Sequence, residues 1–279
     1  MHISLTTGQT LSFDHHGQAD ARPVVFLHGL SSSRATYAEV VDHLVAGPVA
    51  GGAVQIFMID LRGHGQSGWG TYETYDTDHY AADIIAFIEQ VIGRPTALVG
   101  HSLGGLVAAA TATARPDLVQ ALLLEDPPFF EGDEAVRNAS PVAAFFPKLV
   151  AAVRALQARG APASDYEPLV RDTTEPEGWA DRCEMLRQWD PTTMQAAIDG
   201  VAWRTFDPVA TFTCPVTILQ ADPAFGGVFK PDDGPLVMAT NPHADIVLMQ
   251  GAAHGIHNQP TLPAYLSELD CFLALFESL

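Results

Sequence analysis

The sequence predicts an α/β protein with a mostly parallel sheet, helices on both faces and an inserted helical subdomain. Three observations carry this prediction. Apolar runs of strand length alternate with segments of helical periodicity, which is typical of a parallel sheet covered on both sides. The alternation stops after Pro128 and resumes near Pro215. The pentapeptide at residues 100–104, Gly-His-Ser-Leu-Gly, stands between an apolar run and an alanine-rich segment.

The predicted strands are short apolar runs bounded by glycine, proline or polar residues. We expect the first of them to lie at an edge of the sheet. They cover residues 10–13, 23–27, 54–59, 96–99, 119–124, 215–221 and 244–249.

The predicted helices show apolar residues at helical spacing. A helix over 37–44 follows three serines, any of which could cap it. A helix over 78–91 leads to the strand 96–99, and a helix over 103–114 follows the pentapeptide. A last amphipathic helix covers 262–276.

Length and composition suit one substantial core. The chain has 279 residues, of which 47% are hydrophobic. A formal net charge of −19 argues against nucleic acid and anionic membranes as partners. Three scattered cysteines predict neither a disulfide framework nor a metal pair. The N-terminus lacks a secretory pattern and no segment is long enough to span a bilayer, so we expect a cytoplasmic location. The oligomeric state stays open.

Ser102 occupies the centre of the pentapeptide, and its surroundings indicate a nucleophile. Gly-x-Ser-x-Gly at a strand-to-helix turn is the nucleophile elbow. Gly100 and Gly104 suit a turn that brings backbone segments close together. A serine hydroxyl attacks at neutral pH only when an imidazole takes its proton and a carboxylate orients that imidazole. The helix that begins at Leu103 directs N–H groups toward a developing oxyanion.

Residues 129–206 contain no clear buried strand and predict a helical cap subdomain. The core domain would then consist of residues 1–128 and 207–279. Because the insert leaves the sheet at the carboxyl end of a strand, it must lie above the crevice where ligands bind in open α/β sheets. Many of its aromatic residues are expected to form the small core of the insert, and some to line a substrate pocket. The predicted pocket residues are Phe129, Phe130, Trp179 and Trp203.

Four elements in one chain order resemble the α/β-hydrolase superfamily across essentially the whole length. The resemblance implies an eight-stranded, mainly parallel sheet with a helical cap after the sixth strand. It also implies a triad in the order nucleophile, acid, histidine. The four elements are His28-Gly29, the Asp-Leu-Arg-Gly-His-Gly-Gln-Ser run at 60–67, the elbow at Ser102 and the Gly-Ala-Ala-His-Gly-Ile-His run at 251–257.

The histidine implied by the resemblance is His254, in a Gly/Ala-rich turn just after the last strand. His257 is a competitor three residues away, but its position suits the approach to the last helix. We expect His257 to have a structural or pocket-edge role.

The acid is the triad member that the sequence leaves open. Most relatives carry it in a Gly-x-x-Asp turn after the seventh strand, but Ala224 stands where that aspartate should be. Asp222, displaced by two positions, is one candidate. Asp126, at the tip of the sixth strand, is the other, and zearalenone lactonases and certain haloalkane dehalogenases place their acid there. We favour Asp126 over Asp222, with Glu125 as a third candidate.

The oxyanion hole needs two backbone donors fixed toward the developing charge. Leu103 N–H is one, and the resemblance assigns the other to Leu30, the residue after His28-Gly29. We expect His28 to brace its loop, and Arg62 and His64 to hold the adjacent one.

A serine at the elbow excludes the alkyl-enzyme chemistry of epoxide hydrolases and haloalkane dehalogenases, which requires a carboxylate there. We expect a serine hydrolase that cleaves a carboxylic ester or lactone of a small, apolar molecule through acyl-Ser102. Two alternatives stay open: hydrolysis of a carbon–carbon bond in a diketone, and a non-catalytic hydrolase-fold protein that binds a ligand. Neither a metal ion nor an organic cofactor is expected.

Overall fold

The structure is a computed structural model that describes residues 1–46, 54–139, 146–172, 174 and 176–277. Its centre is an eight-stranded sheet in the order β1-β2-β4-β3-β5-β6-β7-β8. The β1–β2 and β2–β4 pairs are antiparallel, and all other neighbours are parallel. The strands are β1 His2–Ser4, β2 Thr10–His16, β3 Arg22–Leu27, β4 Val54–Asp60, β5 Thr96–His101, β6 Val119–Glu125, β7 Val216–Ala221 and β8 Asp245–Met249.

Helices cover both faces of this sheet. Residues of α1 and α9 pack in one buried cluster, and residues of α2, α3 and α8 pack in another. The helices are α1 Ala38–Ala46, α2 Thr77–Phe87, α3 Leu103–Ala114, α4 Glu134–Ala139, α5 Phe146–Ala158, α6 Trp179–Gln188, α7 Thr192–Ile198, α8 Asp233–Thr240 and α9 Leu262–Glu277.

Strand β3 shows why the central strands are apolar at nearly every position. Val24 and Phe26 belong to the cluster under α1 and α9, whereas Val25 and Leu27 belong to the cluster under α2 and α3. Successive side chains point to opposite faces, so a strand covered on both sides needs apolar residues throughout. The prediction of a mostly parallel, eight-stranded sheet with helices on both faces is confirmed.

Two predicted elements differ from the structure in instructive ways. The edge strand is β1, not the strand at residue 10, because three residues are too few to give a periodic pattern. The helix predicted over 78–91 begins at Thr77 behind the N-cap Asp76 and ends as an α-helix at Phe87. A π turn over Ile88–Ile92 continues it to Gly93, whose φ is +70°.

Between β6 and β7 the described residues form helices and no strand. Helices α5, α6 and α7 enclose a small apolar cluster of their own, in which Tyr166 and Trp189 are fully buried. The domain boundaries at 128 and 207 stay a prediction. Among the residues described, we find no helix with the length and apolarity needed to cross a membrane.

Candidate active site

Ser102, Asp126 and His254 follow the carboxyl ends of three parallel strands at one edge of the sheet. Ser102 follows β5 and Asp126 follows β6, and these strands are paired in parallel with His101 opposite Glu125. His254 lies in the loop after β8. Because the carboxyl ends of parallel strands meet at one edge, residues far apart in sequence become neighbours there.

Ser102 lies in a strained turn between β5 and α3. Its φ of 52° and ψ of −115° are unusual for a residue with a side chain. The neighbouring glycines make room for this turn. A Cβ at Gly100 would lie 2.3 Å from the carbonyl oxygen of Gly104, and a Cβ at Gly104 would lie 2.0 Å from that of Leu27. The sequence therefore forms the elbow because only glycine fits at both positions.

Asp126 binds the imidazole of His254. The distance from His254 Nδ1 to Asp126 Oδ2 is 2.6 Å, and Asp126 is fully buried. Its carboxylate also accepts the backbone N–H groups of Ala221 at 3.3 Å, Val228 at 2.9 Å and Phe229 at 3.0 Å. A carboxylate held by several donors has a fixed orientation and fixes the ring it binds.

The Ser102 hydroxyl makes no hydrogen bond to a described residue. In ligand-free enzymes, the hydrogen bond between a nucleophile and its base is often long, and it shortens in the substrate complex.

Asp222 has a different environment. Its carboxylate accepts the N–H groups of Ala224 and Gly251, both at 2.9 Å, and these bonds lower the pKa of the Asp222 carboxyl. The Asp222 N–H donates to the carbonyl of Ala252 at 2.9 Å. The structure thus places Asp222 at the start of the loop that carries His254, and it places Asp126 on the imidazole itself.

Glu125 and His257 form a second carboxylate–imidazole pair beside the first. Glu125 Oε1 accepts His257 Nδ1 at 2.8 Å and the His257 backbone N–H at 3.0 Å. His257 Nε2 lies 2.8 Å from the Thr36 hydroxyl. Burial alone would raise the pKa of Glu125, but the electrostatic interaction with His257 and the hydrogen bonds from its ring and backbone N–H hold it below its usual value.

His101 ties the loop of His254 to β5. Its Nε2 lies 3.0 Å from the carbonyl oxygen of His254. Burial lowers the pKa of His101 to about 3, so the ring is neutral and its Nε2–H donates this bond. The loop of His254 is therefore held by three strands, through His101 at β5, Glu125 at β6 and Asp222 at β7.

His101, Glu125 and His257 also form a cluster of metal-ligating side chains, whose ligand atoms lie within 4.8 Å of one another. Most of these atoms are already engaged. Both Glu125 oxygens lie within 2.9 Å of His257 Nδ1, and Nε2 of each histidine has a protein partner. The described geometry is therefore that of a hydrogen-bonded network.

The backbone around Leu30 approaches Ser102 from the other side. A Cβ at Gly29 would lie 2.6 Å from His101 Nδ1 and 3.2 Å from Ser102 Cβ, so a larger residue would displace the His101 ring. In the described part of the chain, neither the Leu30 N–H nor the Leu103 N–H donates a hydrogen bond. Both N–H groups are therefore free to donate hydrogen bonds to an oxyanion.

Three side chains hold the loop of Leu30 in place. The guanidinium of Arg182, from α6, donates to the carbonyl and hydroxyl oxygens of Ser31. His64 Nε2 accepts the Ser31 N–H at 3.3 Å, and His28 Nε2 accepts the N–H of Leu61 at 3.1 Å. Burial lowers the pKa of His28 to about 4 and that of His64 to about 3, so both rings are neutral acceptors.

Arg62 forms a buried ion pair with Asp83, its Nε lying 2.7 Å from Oδ2. This contact ties the loop after β4 to α2.

A cavity with about 340 Å³ of empty space, part of it open to solvent, adjoins Ser102. Of the four predicted pocket residues, Trp203 lines it. Phe129 and Phe130 instead pack in or against the main core, and Trp179 packs against the cluster of the insert. Tyr75 and Tyr80 were not predicted from the sequence, because the aromatic residues predicted to line the pocket all belong to the insert. The lining residues are Leu30, Tyr75, Tyr80, Ser102, Leu103, Leu106, Pro128, Thr193, Ala197, Ala202 and Trp203.

The chain is similar to several known proteins. The model of the Alpha/beta hydrolase family matches residues 24–262. Lipase LipV of Mycobacterium tuberculosis is 29% identical over 228 residues, which cover 77% of this chain and 80% of the lipase. The sn-1-specific diacylglycerol lipase ABHD11 of Danio rerio is 36% identical over 110 residues, which cover 39% of this chain. The matched part spans only 33% of that lipase.

Among solved structures, a marine microorganism esterase superimposes with a TM-score of 0.76 at 21% identity. The superposition covers 94% of this chain and 98% of the esterase. At this identity the likeness concerns the fold.

Proposed function

Because the chain belongs to the alpha/beta hydrolase family, we propose that it is a serine hydrolase that cleaves a carboxylic ester or lactone of a small, apolar molecule. The observation that carries this proposal is the pairing of His254 Nδ1 with the buried carboxylate of Asp126 at 2.6 Å, beside the strained turn of Ser102. Two relatives named as lipases support ester cleavage as the reaction class.

The first half of the reaction acylates the serine. The Ser102 oxygen attacks the carbonyl carbon while His254 Nε2 takes the hydroxyl proton. Asp126 keeps the proton of Nδ1 in place and stabilises the imidazolium that forms. The N–H groups of Leu30 and Leu103 hold the negative oxygen of the tetrahedral intermediate, and each such donor contributes roughly 3 kcal/mol. The C–O bond then breaks, and the alcohol oxygen leaves with the proton of His254.

The second half restores the enzyme. His254 takes a proton from water as the water oxygen attacks the acyl carbon, and the same N–H groups hold the second tetrahedral oxyanion. Ser102 leaves with the proton from His254, and the acid is released. A lactone follows the same steps, except that its alcohol and acid remain one molecule.

The cavity supports a small substrate with little charge. Its lining is dominated by leucine, alanine, proline and aromatic side chains, which bind apolar groups. The formal net charge of −19 also disfavours a polyanionic substrate.

The test is to treat the protein with a fluorophosphonate probe and to follow release of p-nitrophenol from short acyl esters. We expect Ser102→Ala to lose both labelling and turnover. Ser267→Ala, on the exposed side of α9, is the matched control and should retain both. The same screen includes lactones and diketones. A wild-type protein that neither labels nor cleaves any ester or lactone would contradict the proposal, as would one that cleaves only diketones.

A further inference from the structure

Tyr80 carries a buried hydroxyl group without a hydrogen-bond partner. Its side chain is 1% exposed, and its oxygen is one of five buried side-chain polar atoms in the described part of the chain that make no hydrogen bond. A buried hydroxyl left in this state costs roughly 1–3 kcal/mol, so native proteins keep few of them. The other four belong to Thr77, His101, Tyr166 and Tyr265.

Of these five residues, Tyr80 is the one that lines the cavity next to Ser102. The other polar side chains of that lining, Ser102 aside, already have partners inside the protein. Tyr75 donates to Asp190 Oδ2 at 2.5 Å, Thr193 donates to the Asp190 carbonyl at 2.8 Å, and Trp203 donates to the Pro128 carbonyl at 2.8 Å. Apart from Ser102, Tyr80 is therefore the lining residue in the described part of the chain whose polar side-chain atom has no hydrogen-bond partner in the protein.

We propose that the Tyr80 hydroxyl donates a hydrogen bond to a neutral oxygen of the substrate and selects esters or lactones that carry a second acceptor oxygen. This inference rests on the proposed function, since it concerns the molecule that Ser102 attacks. An ether, ketone or hydroxyl oxygen fits the description, and a purely hydrocarbon chain does not.

The surroundings of Tyr80 explain why it donates and why its partner is neutral. Burial raises the pKa of Tyr80 well above its ordinary value, so the phenol keeps its proton. Asp190 is 5% exposed, and its negative charge acts on Tyr80. The nearby cation of Arg62 is already paired with Asp83 at 2.7 Å. An anionic substrate group would be repelled by Asp190, whereas an uncharged acceptor would satisfy the phenol.

The experiment compares matched substrates in the wild type and in Tyr80→Phe. Each pair replaces one methylene by an ether oxygen, on the acyl side (p-nitrophenyl pentanoate and its methoxypropanoate analogue) and on the alcohol side (butyl acetate and 2-methoxyethyl acetate). The oxygen is moved along the chain in further pairs. The ratio of kcat/KM between ether and alkyl esters is then compared between the two proteins, so that intrinsic reactivity cancels.

We expect Tyr80→Phe to lower this ratio by about ten-fold for at least one ether position, the loss typical of one buried hydrogen bond. The alkyl esters serve as the internal reference for each protein, and Tm should not fall, because the hydroxyl has no partner in the free protein. Tyr166→Phe is the matched control. It removes another buried, unpartnered hydroxyl, but one inside the cluster of the insert, and should change no ratio.

A ratio that Tyr80→Phe leaves unchanged for every ether would overturn the inference, even with active enzyme. A Tm several degrees lower in Tyr80→Phe would also overturn it, because the hydroxyl would then be bonded within the protein. If the wild type cleaves no ester, the proposed function fails separately. Equilibrium binding of the same ether and alkyl esters to Ser102→Ala, with and without Tyr80→Phe, still decides the role of Tyr80 without turnover.

Discussion

Two carboxylate–imidazole pairs lie side by side at the end of β6, and they differ in what surrounds the imidazole. Asp126 binds His254 and the preceding residue, Glu125, binds His257, in both cases through Nδ1 at 2.6–2.8 Å. The side chain of His254 is 36% exposed, whereas that of His257 is 1% exposed. The Nε2 of His257 is bound to Thr36.

This difference distinguishes an imidazole that is suited to proton transfer, His254, from one that is suited to holding a loop in place, His257. A general base needs one nitrogen oriented by a partner and the other within reach of the reacting group. Asp126 orients His254 through Nδ1, and the Nε2 of His254 makes no hydrogen bond to a described residue, whereas both nitrogens of His257 have partners inside the protein. In the proposed reaction, the same side-chain chemistry therefore serves proton transfer in the Asp126–His254 pair and fixes the neighbouring loop in the Glu125–His257 pair.

The largest effect is expected from Asp126→Asn. An asparagine cannot hold His254 in the tautomer that accepts the serine proton, so kcat for ester hydrolysis should fall by about 10⁴-fold. Asp222→Asn is the matched variant, since it alters a carboxylate that accepts backbone N–H groups at the start of the same loop. Its kcat should fall by about ten-fold or less. A larger loss in Asp222→Asn than in Asp126→Asn would reverse the roles given to the two residues.

The sequence predicts the strands and the elbow well because their signals are local. Apolar runs mark the strands, and Gly100 and Gly104 mark the turn of Ser102 directly. The choice between Asp126 and Asp222 is not local. It depends on where the backbone of residues 221–229 turns, since three N–H groups of that segment bind Asp126.

Two of the residues that line the cavity could not be predicted from local sequence patterns either. Tyr75 and Tyr80 lie before and within α2, in a part of the sequence whose pattern indicates only a loop and a core-packing helix. Their place in the cavity lining results from the packing of α2 against α3 and of the turn at Tyr72–Thr74 against α7. No spacing of apolar residues in the sequence predicts this tertiary packing.

Glu125→Gln should have the second largest effect, and mainly on stability. Loss of a buried charge from a paired site costs about 3 kcal/mol of the free energy of unfolding. Because the folded state lowers the pKa of Glu125, its stabilisation is present above the unfolded pKa, roughly 4.3, and is lost as the pH falls through the lower folded value. The difference in unfolding free energy between wild type and variant should therefore shrink as the pH falls below the unfolded pKa, roughly 4.3, towards the lower folded one.

Urea unfolding at several pH values measures this difference directly. Activity near neutral pH should fall by roughly ten-fold, since His257 anchors the loop of His254 without reaching the substrate. If Glu125→Gln abolished activity as fully as Asp126→Asn while leaving stability unchanged, the distinction between the two pairs would be wrong.

The smallest effect is expected from Thr36→Val, which removes the partner of His257 Nε2 and nearly preserves side-chain volume. One partly buried hydrogen bond is lost, so the free energy of unfolding should drop by about 1 kcal/mol. Freeing Nε2 does not create a second base, because His257 remains buried and Glu125 still holds its Nδ1. The kcat for ester hydrolysis and its pH profile should stay within about two-fold of wild type, given that Thr36 contacts His257 and not His254. A displaced pH profile in Thr36→Val would show that protonation of His257 is coupled to turnover. The Glu125–His257 pair would then take part in the reaction and not only support the loop.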